Sequence, residues 1–138
     1  RRGVHDTLAP RMSRILIDTS VWVGHFKQRN DTLVNLITAD LALTHPMVVL
    51  ELACGTPPAP RRQTLSDIAL LYSSNPATTD EVLDLIEREK LYGLGCGLVD
   101  ISLLASTLIT PDALLWTFDK RLAALAERFG VGFVAPLH

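Results

Sequence analysis

Four acidic residues stand among apolar neighbours where a carboxylate is costly to place. Asp18 follows directly on the run Ile15-Leu16-Ile17 and precedes a helix-like stretch. Glu51 is the one charge between Pro46 and Gly55, in Met-Val-Val-Leu-Glu-Leu-Ala-Cys. Asp100 opens the greasy segment Asp-Ile-Ser-Leu-Leu-Ala-Ser, and Asp119 follows Leu-Leu-Trp-Thr-Phe and opens an amphipathic stretch. Taken singly, each aspartate is explained as a helix N-cap, a position that strongly prefers this residue. Glu51 alone could occupy a narrow exposed strip of its helix, although apolar residues on all sides point instead to a lined pocket. The same bland explanation is then needed repeatedly, which favours a common cause.

Converging carboxylates repel one another and take up protons unless a cation lies between them. An all-oxygen donor set favours a hard, hydrated ion, Mg²⁺ or Mn²⁺, over zinc. An ion so held can activate water and neutralise charge developing on a phosphate, and a second ion about 3.5–4 Å away can assist the leaving oxygen. Ser20 and Thr117 could support the acids by hydrogen-bonding a carboxylate or a metal-bound water; otherwise they are ordinary hydroxyl positions.

Other chemistries find less support. The histidines, His5, His25, His45 and His138, form no paired metal-ligand spacing. Cys54 and Cys96 also lack metal spacing, and their apolar surroundings predict buried, reduced thiols of a cytoplasmic protein. A haloacid-dehalogenase-type phosphatase needs Asp-x-Asp after its first strand, but Asp18 is followed by Thr19-Ser20. A receiver domain needs an acid pair at that strand's end. The glycines at 93, 95 and 97 follow a helical stretch rather than a strand, which is poor support for a nucleotide loop.

The elements that must position the acids alternate between strand and helix. Ile15–Ile17 reads as a strand, followed by a helix capped by Thr19 or Ser20 and reaching Phe26. Asp31 caps a second helix with Leu33, Leu36 and Ile37 on one face. A strand over Leu41–Thr44 leads to a helix from Pro46, stopped by Gly55. A Pro-rich loop over 55–63, a helix over 64–73 and a strand over 75–78 follow. Thr78-Thr79-Asp80-Glu81 has capping-box spacing and opens a helix with Val82, Leu85 and Ile86 inward. Next come a nearly all-apolar helix over Val99–Ile109, a strand over Leu114–Thr117, a last helix from Asp119 to Gly130, and an edge strand over Val131–Val134. This alternation predicts an α/β fold with a short, mainly parallel sheet covered by helices on both faces. Ligand sites in such sheets lie beyond the carboxyl ends of the strands, where Asp18 and Asp119 both fall.

Bulk properties set the limits. A chain of 138 residues suits one domain, here residues 14–138. Residues 1–13 are polar, lack an apolar signal core and read as a disordered extension or cloning remnant. No apolar run approaches membrane-spanning length. A net charge of −2 gives no general attraction to nucleic acid, so binding would need local cations among Lys27/Arg29, Arg61-Arg62 and Lys120-Arg121, each of which alone reads as solvated charge. Hydrophobic residues make up 48% against 20% charged, greasy enough to predict an apolar patch for self-association or a protein partner.

LIDTSVW at 16–22, the glutamate of VVLELACG at 48–55, GLVDISLLAS at 97–106 and LLWTFDKRLAALA at 114–126 together resemble the PIN-domain ribonucleases. The likeness is narrower still to VapC-type toxins of bacterial toxin–antitoxin pairs, and it spans residues 14–136 in order. It implies a three-layer α/β/α sandwich and Mg²⁺-dependent hydrolysis of RNA. It implies that Asp18, Asp100 and Asp119 surround the metal, with Asp18 and Asp100 as main ligands, and that Glu51 completes the pocket. A cognate antitoxin covering the pocket and a homodimer are further implications. This chain departs from many relatives in carrying Phe118, rather than a basic residue, before the fourth acid, and in its glycine-rich approach to Asp100. The reading from another class is a non-catalytic module that binds RNA or protein through the same acidic pocket.

Overall fold

The structure, a computed structural model, describes residues 12–136. The expected extension therefore lies almost wholly outside the described residues. Four short strands, β1 (Arg14–Ile17), β2 (Ala42–Thr44), β3 (Tyr72–Ser73) and β4 (Ala113–Trp116), form a parallel sheet in the order β3-β2-β1-β4. Parallel neighbours need crossover connections, and helices supply them. These are α1 (Thr19–Lys27), α2 (Asp31–Thr38), α3 (Pro46–Cys54), α4 (Arg61–Ala69), α5 (Thr79–Glu89), α6 (Leu98–Ile109) and α7 (Lys120–Arg128). The result is the three-layer α/β/α sandwich. Ile15, Leu16 and Ile17 on β1 are all buried, as a strand covered on both faces requires.

The register pairs Ile17 with Trp116, so β1 and β4 end side by side. The Asp18 N–H continues the ladder to the Trp116 carbonyl at 2.9 Å. Because β1 connects onward to β2 on one flank while β4 lies on the other, this edge is the switch point of the sheet, the place where such sheets bind ligands. Behind it, α6 is the central buried helix: every residue from Ile101 to Thr107 is buried.

Local signals account for most element ends. Pro46 occupies the first turn of α3, and Gly55 ends it. The Thr78–Glu81 capping box is present in both directions. Other expectations need correction. Asn30, not Asp31, caps α2 through its side chain on the Leu33 N–H. The fourth helix starts earlier than expected and ends at Ala69, and the third strand lies at Tyr72–Ser73 rather than 75–78. Pro76 has no N–H to give a ladder, and the Asn75 N–H is taken by the Thr110 hydroxyl at 2.8 Å. The expected edge strand at 131–134 reduces to one parallel bridge between Leu115 and Gly132. Cys54 is exposed and Cys96 half-buried, so the expectation of two buried thiols fails; apolar neighbours in sequence do not ensure burial on a helix end or in a loop. Among the described residues no helix is long and apolar enough to cross a membrane.

Candidate active site

Asp18 is 5% exposed and sits at the N-cap position of α1 with extended backbone, yet its side chain caps nothing. The simple cap explanation therefore fails for this residue. Instead, Oδ2 accepts the Ser20 hydroxyl at 2.6 Å and the Thr117 hydroxyl at 2.7 Å. The two hydroxyl oxygens lie 3.3 Å apart, and each also accepts a backbone N–H at 3.0 Å, Ser20 from Phe118 and Thr117 from Asp119. Thr117 lies just past β4 rather than in it, so its side chain is free to turn across the strand ends. Both hydroxyl bonds load one carboxylate oxygen. Among the described residues, Oδ1 receives no hydrogen bond.

Asp100 lies in the first turn of α6 and is half-buried. Burial raises its pKa first, then the charge of Asp18; Asp119 and Glu51 raise it further, while the Gly97 backbone N–H works the other way. Among the described residues no cation is a cause of this shift. Asp18, Asp119 and Glu51 thus all lie close enough to Asp100 to raise its pKa. Asp119 does act as a cap: it accepts the Leu122 N–H at 3.0 Å and starts α7.

Glu51 departs from expectation. It is exposed rather than enclosed, because α3 turns this position outward between the buried Val48 and Leu52. Its Oε1 accepts the Thr19 hydroxyl at 2.6 Å, which anchors it beside Asp18. It also lines a cavity of ≈ 560 Å³ shared with Val23, Phe26, Lys27, Leu52 and Pro57. The sequence offered Thr19 only as a helix cap; Asp18 takes that position, and Thr19, the first residue of α1, bonds Glu51 instead.

The donor set fits a divalent ion in kind: carboxylate oxygens, uncompensated by any cation at Asp100. It does not form an all-protein cage. Among the described residues no group of three or more His, Cys, Asp or Glu side chains is close enough to hold a metal. Mg²⁺ is the ion least troubled by this, since it keeps several waters and is commonly held by one or two carboxylates. Asp18, through its open oxygen, and Asp100, whose charge lacks a counter-ion, are the residues that would hold it.

Residues 15–128 match the model of the PIN domain. The chain belongs to the PIN-domain family. Ribonuclease VapC32 of Mycobacterium tuberculosis, from strain CDC 1551 / Oshkosh and from strain ATCC 25618 / H37Rv, is 44% identical over 118 residues, covering 85% of this chain and 94% of the relative. This likeness makes the chain a PIN domain of the VapC type. In this PIN domain the matched segment includes all four acids and both supporting hydroxyls.

Proposed function

We propose that this PIN domain is a Mg²⁺-dependent endoribonuclease, the toxin of a toxin–antitoxin pair, with Mn²⁺ as a possible substitute ion. The relatives' name as ribonucleases supports hydrolysis of RNA. The observation that carries the reading is the buried Asp18 carboxylate, held through one oxygen by Ser20 and Thr117, with Asp100 half-buried and near enough to Asp18, Asp119 and Glu51 for each to raise its pKa. Such an arrangement raises the energy of the fold unless a cation compensates it, and clustered, perturbed acids in a crevice are the mark of a functional site.

When bound, the ion would polarise the attacking water and neutralise charge on the phosphate. The chain's own residues do the rest. Ser20 and Thr117 fix the Asp18 carboxylate through Oδ2 and leave Oδ1 open, where it would hold the ion. Asp100 would add a second carboxylate from the first turn of α6. Asp119 orients the start of α7 by capping it and adds negative charge at the same edge. Glu51, held by Thr19, closes the cavity side and can accept a proton from water at the rim. Substrates are RNA loops rather than duplex, because unstacked bases can be splayed and read. The greasy composition and exposed side chains such as Leu50, Tyr92 and Leu98 support a homodimer and an antitoxin contact, for which we place the protein in the cytoplasm.

The test maps RNA ends after brief induction of the wild type beside Asp18→Ala, with purified protein assayed with and without Mg²⁺. Cleavage that needs both Asp18 and the ion is expected. A purified protein that binds no Mn²⁺ and cuts no RNA would instead be a non-catalytic binding module.

A further inference from the structure

An RNA strand approaching this site meets four carboxylates on a chain of net charge −2. Something besides the acids must hold the polyanion, since phosphate contacts to cations dominate affinity for nucleic acid. Among the described residues four of the seven arginines are held by hydrogen bonds or ion pairs, and Arg62 lies away from the acids on α4. Arg29 pairs with Asp31, Arg88 with Asp84, and Arg128 with Glu89, while Arg61 closes the end of α3 on the Ala53 and Gly55 carbonyls. Arg121 has no ion pair or hydrogen bond among the described residues.

Its place is nevertheless well defined. A Cβ built on Gly95 would stand 2.9 Å from Arg121 Cδ, 2.9 Å from Nε and 3.0 Å from Cζ, so the guanidinium end packs against that glycine. Gly95 has φ +84°, a conformation that side-chain-bearing residues rarely adopt. Gly95 belongs to the loop that leads into α6 and Asp100; Arg121 lies in the first turn of α7, just after Asp119. Arg121 therefore brings the start of α7, just after Asp119, against the loop that leads to Asp100. The Cys96 thiol, its pKa raised first by burial, also lies within electrostatic reach of Asp100, Asp119 and Arg121.

We propose that Arg121, seated on Gly95, is the phosphate-docking cation of this site, taking a backbone phosphate of the RNA next to the one brought to the acids. The inference rests on the ribonuclease reading above. A planar guanidinium suits this role because it can grip phosphate through two parallel hydrogen bonds and is always charged. Glycine at 95 is then a specificity device: any side chain there displaces the guanidinium.

The test measures binding of a short fluorescein-labelled oligouridylate by anisotropy across a salt series, in an Asp100→Asn background that prevents cleavage. Arg121→Gln should weaken binding about tenfold at low salt and lower the slope of log affinity against log salt by roughly 0.7, the share of one phosphate contact on a single strand. Arg121→Lys should keep the slope and lose part of the affinity. Gly95→Ala should weaken binding in the same direction, and the double variant should match Arg121→Gln alone. An Arg121→Gln protein with unchanged affinity and slope overturns the proposal, as does full additivity of the two substitutions. Cleavage of RNA by the wild type with Arg121→Gln indistinguishable from it would sink this inference alone. A wild type that neither binds nor cuts RNA would remove the nuclease reading as well.

Discussion

Thr117 donates its hydroxyl to Asp18 Oδ2 at 2.7 Å, joining the carboxyl ends of β1 and β4 across 99 positions of sequence. Ser20 reaches the same oxygen at 2.6 Å, so one carboxylate oxygen is doubly held while its partner points free. Hydrogen bonds to a charged group are worth roughly 1.5–3 kcal/mol each, and outer-shell partners of metal ligands commonly matter about 10–100-fold. Thr117→Val, which keeps the shape and removes the donor, should lower Mg²⁺-dependent cleavage by about tenfold or more. Thr117→Ser should restore most of it. Measured with titrated Mg²⁺, the loss should appear mainly as a higher ion requirement; unchanged ion dependence would count against this role.

Asp100 makes the fold sensitive to pH. An aspartate whose pKa is raised on folding costs stability as pH rises past its ordinary range, and the cost is complete above the raised value. Burial comes first among the causes here, then Asp18. Asp100→Asn should therefore raise Tm at neutral pH without metal, and the gain should disappear as pH falls below the ordinary aspartate range. Thermal melts of both proteins across that window check the sign.

Metal should act on the same residue in the opposite sense. An ion that binds only the folded state stabilises by roughly 1.4 kcal/mol at ten times its Kd. Added Mg²⁺ should raise the Tm of the wild type, and far less that of Asp18→Ala or Asp100→Asn. An equal shift in all three would show that the ion binds elsewhere.

Asp119 carries a structural role that can be separated from its charge. Its carboxylate accepts the Leu122 N–H, and loss of such a cap costs about 0.5–2 kcal/mol. Asp119→Asn should retain stability, since asparagine caps equally well, yet impair cleavage. Asp119→Ala should lose both. Denaturant midpoints beside cleavage rates distinguish the two losses.

Glu51 should behave differently from the aspartates. It is exposed and bonded to Thr19, so Glu51→Gln should change stability by less than about 0.5 kcal/mol. It should also remove one of the charges that raise the pKa of Asp100, shifting the acid limb of the pH–rate profile downward. A large loss of stability would mean that the Thr19 contact supports the packing of α1 on α3.

Much of this architecture is legible from the sequence because it is written in short-range terms. Period, capping and punctuation located most elements: the Thr78–Glu81 box, Pro46 at the start of α3 and the apolar β1 run are each local statements about backbone and burial. The four acids were equally visible, since a charge in an apolar run is costly wherever it lies. What only the tertiary structure decided depends on strand order and register. The pairing of Ile17 with Trp116 brings Thr117 to Asp18, and no local pattern encodes that neighbour. The outward turn of Glu51 and the seat of Arg121 on Gly95 follow from how helices dock after the sheet forms. Residue types thus announced which chemistry the chain could support, while packing determined which atoms were left free to perform it.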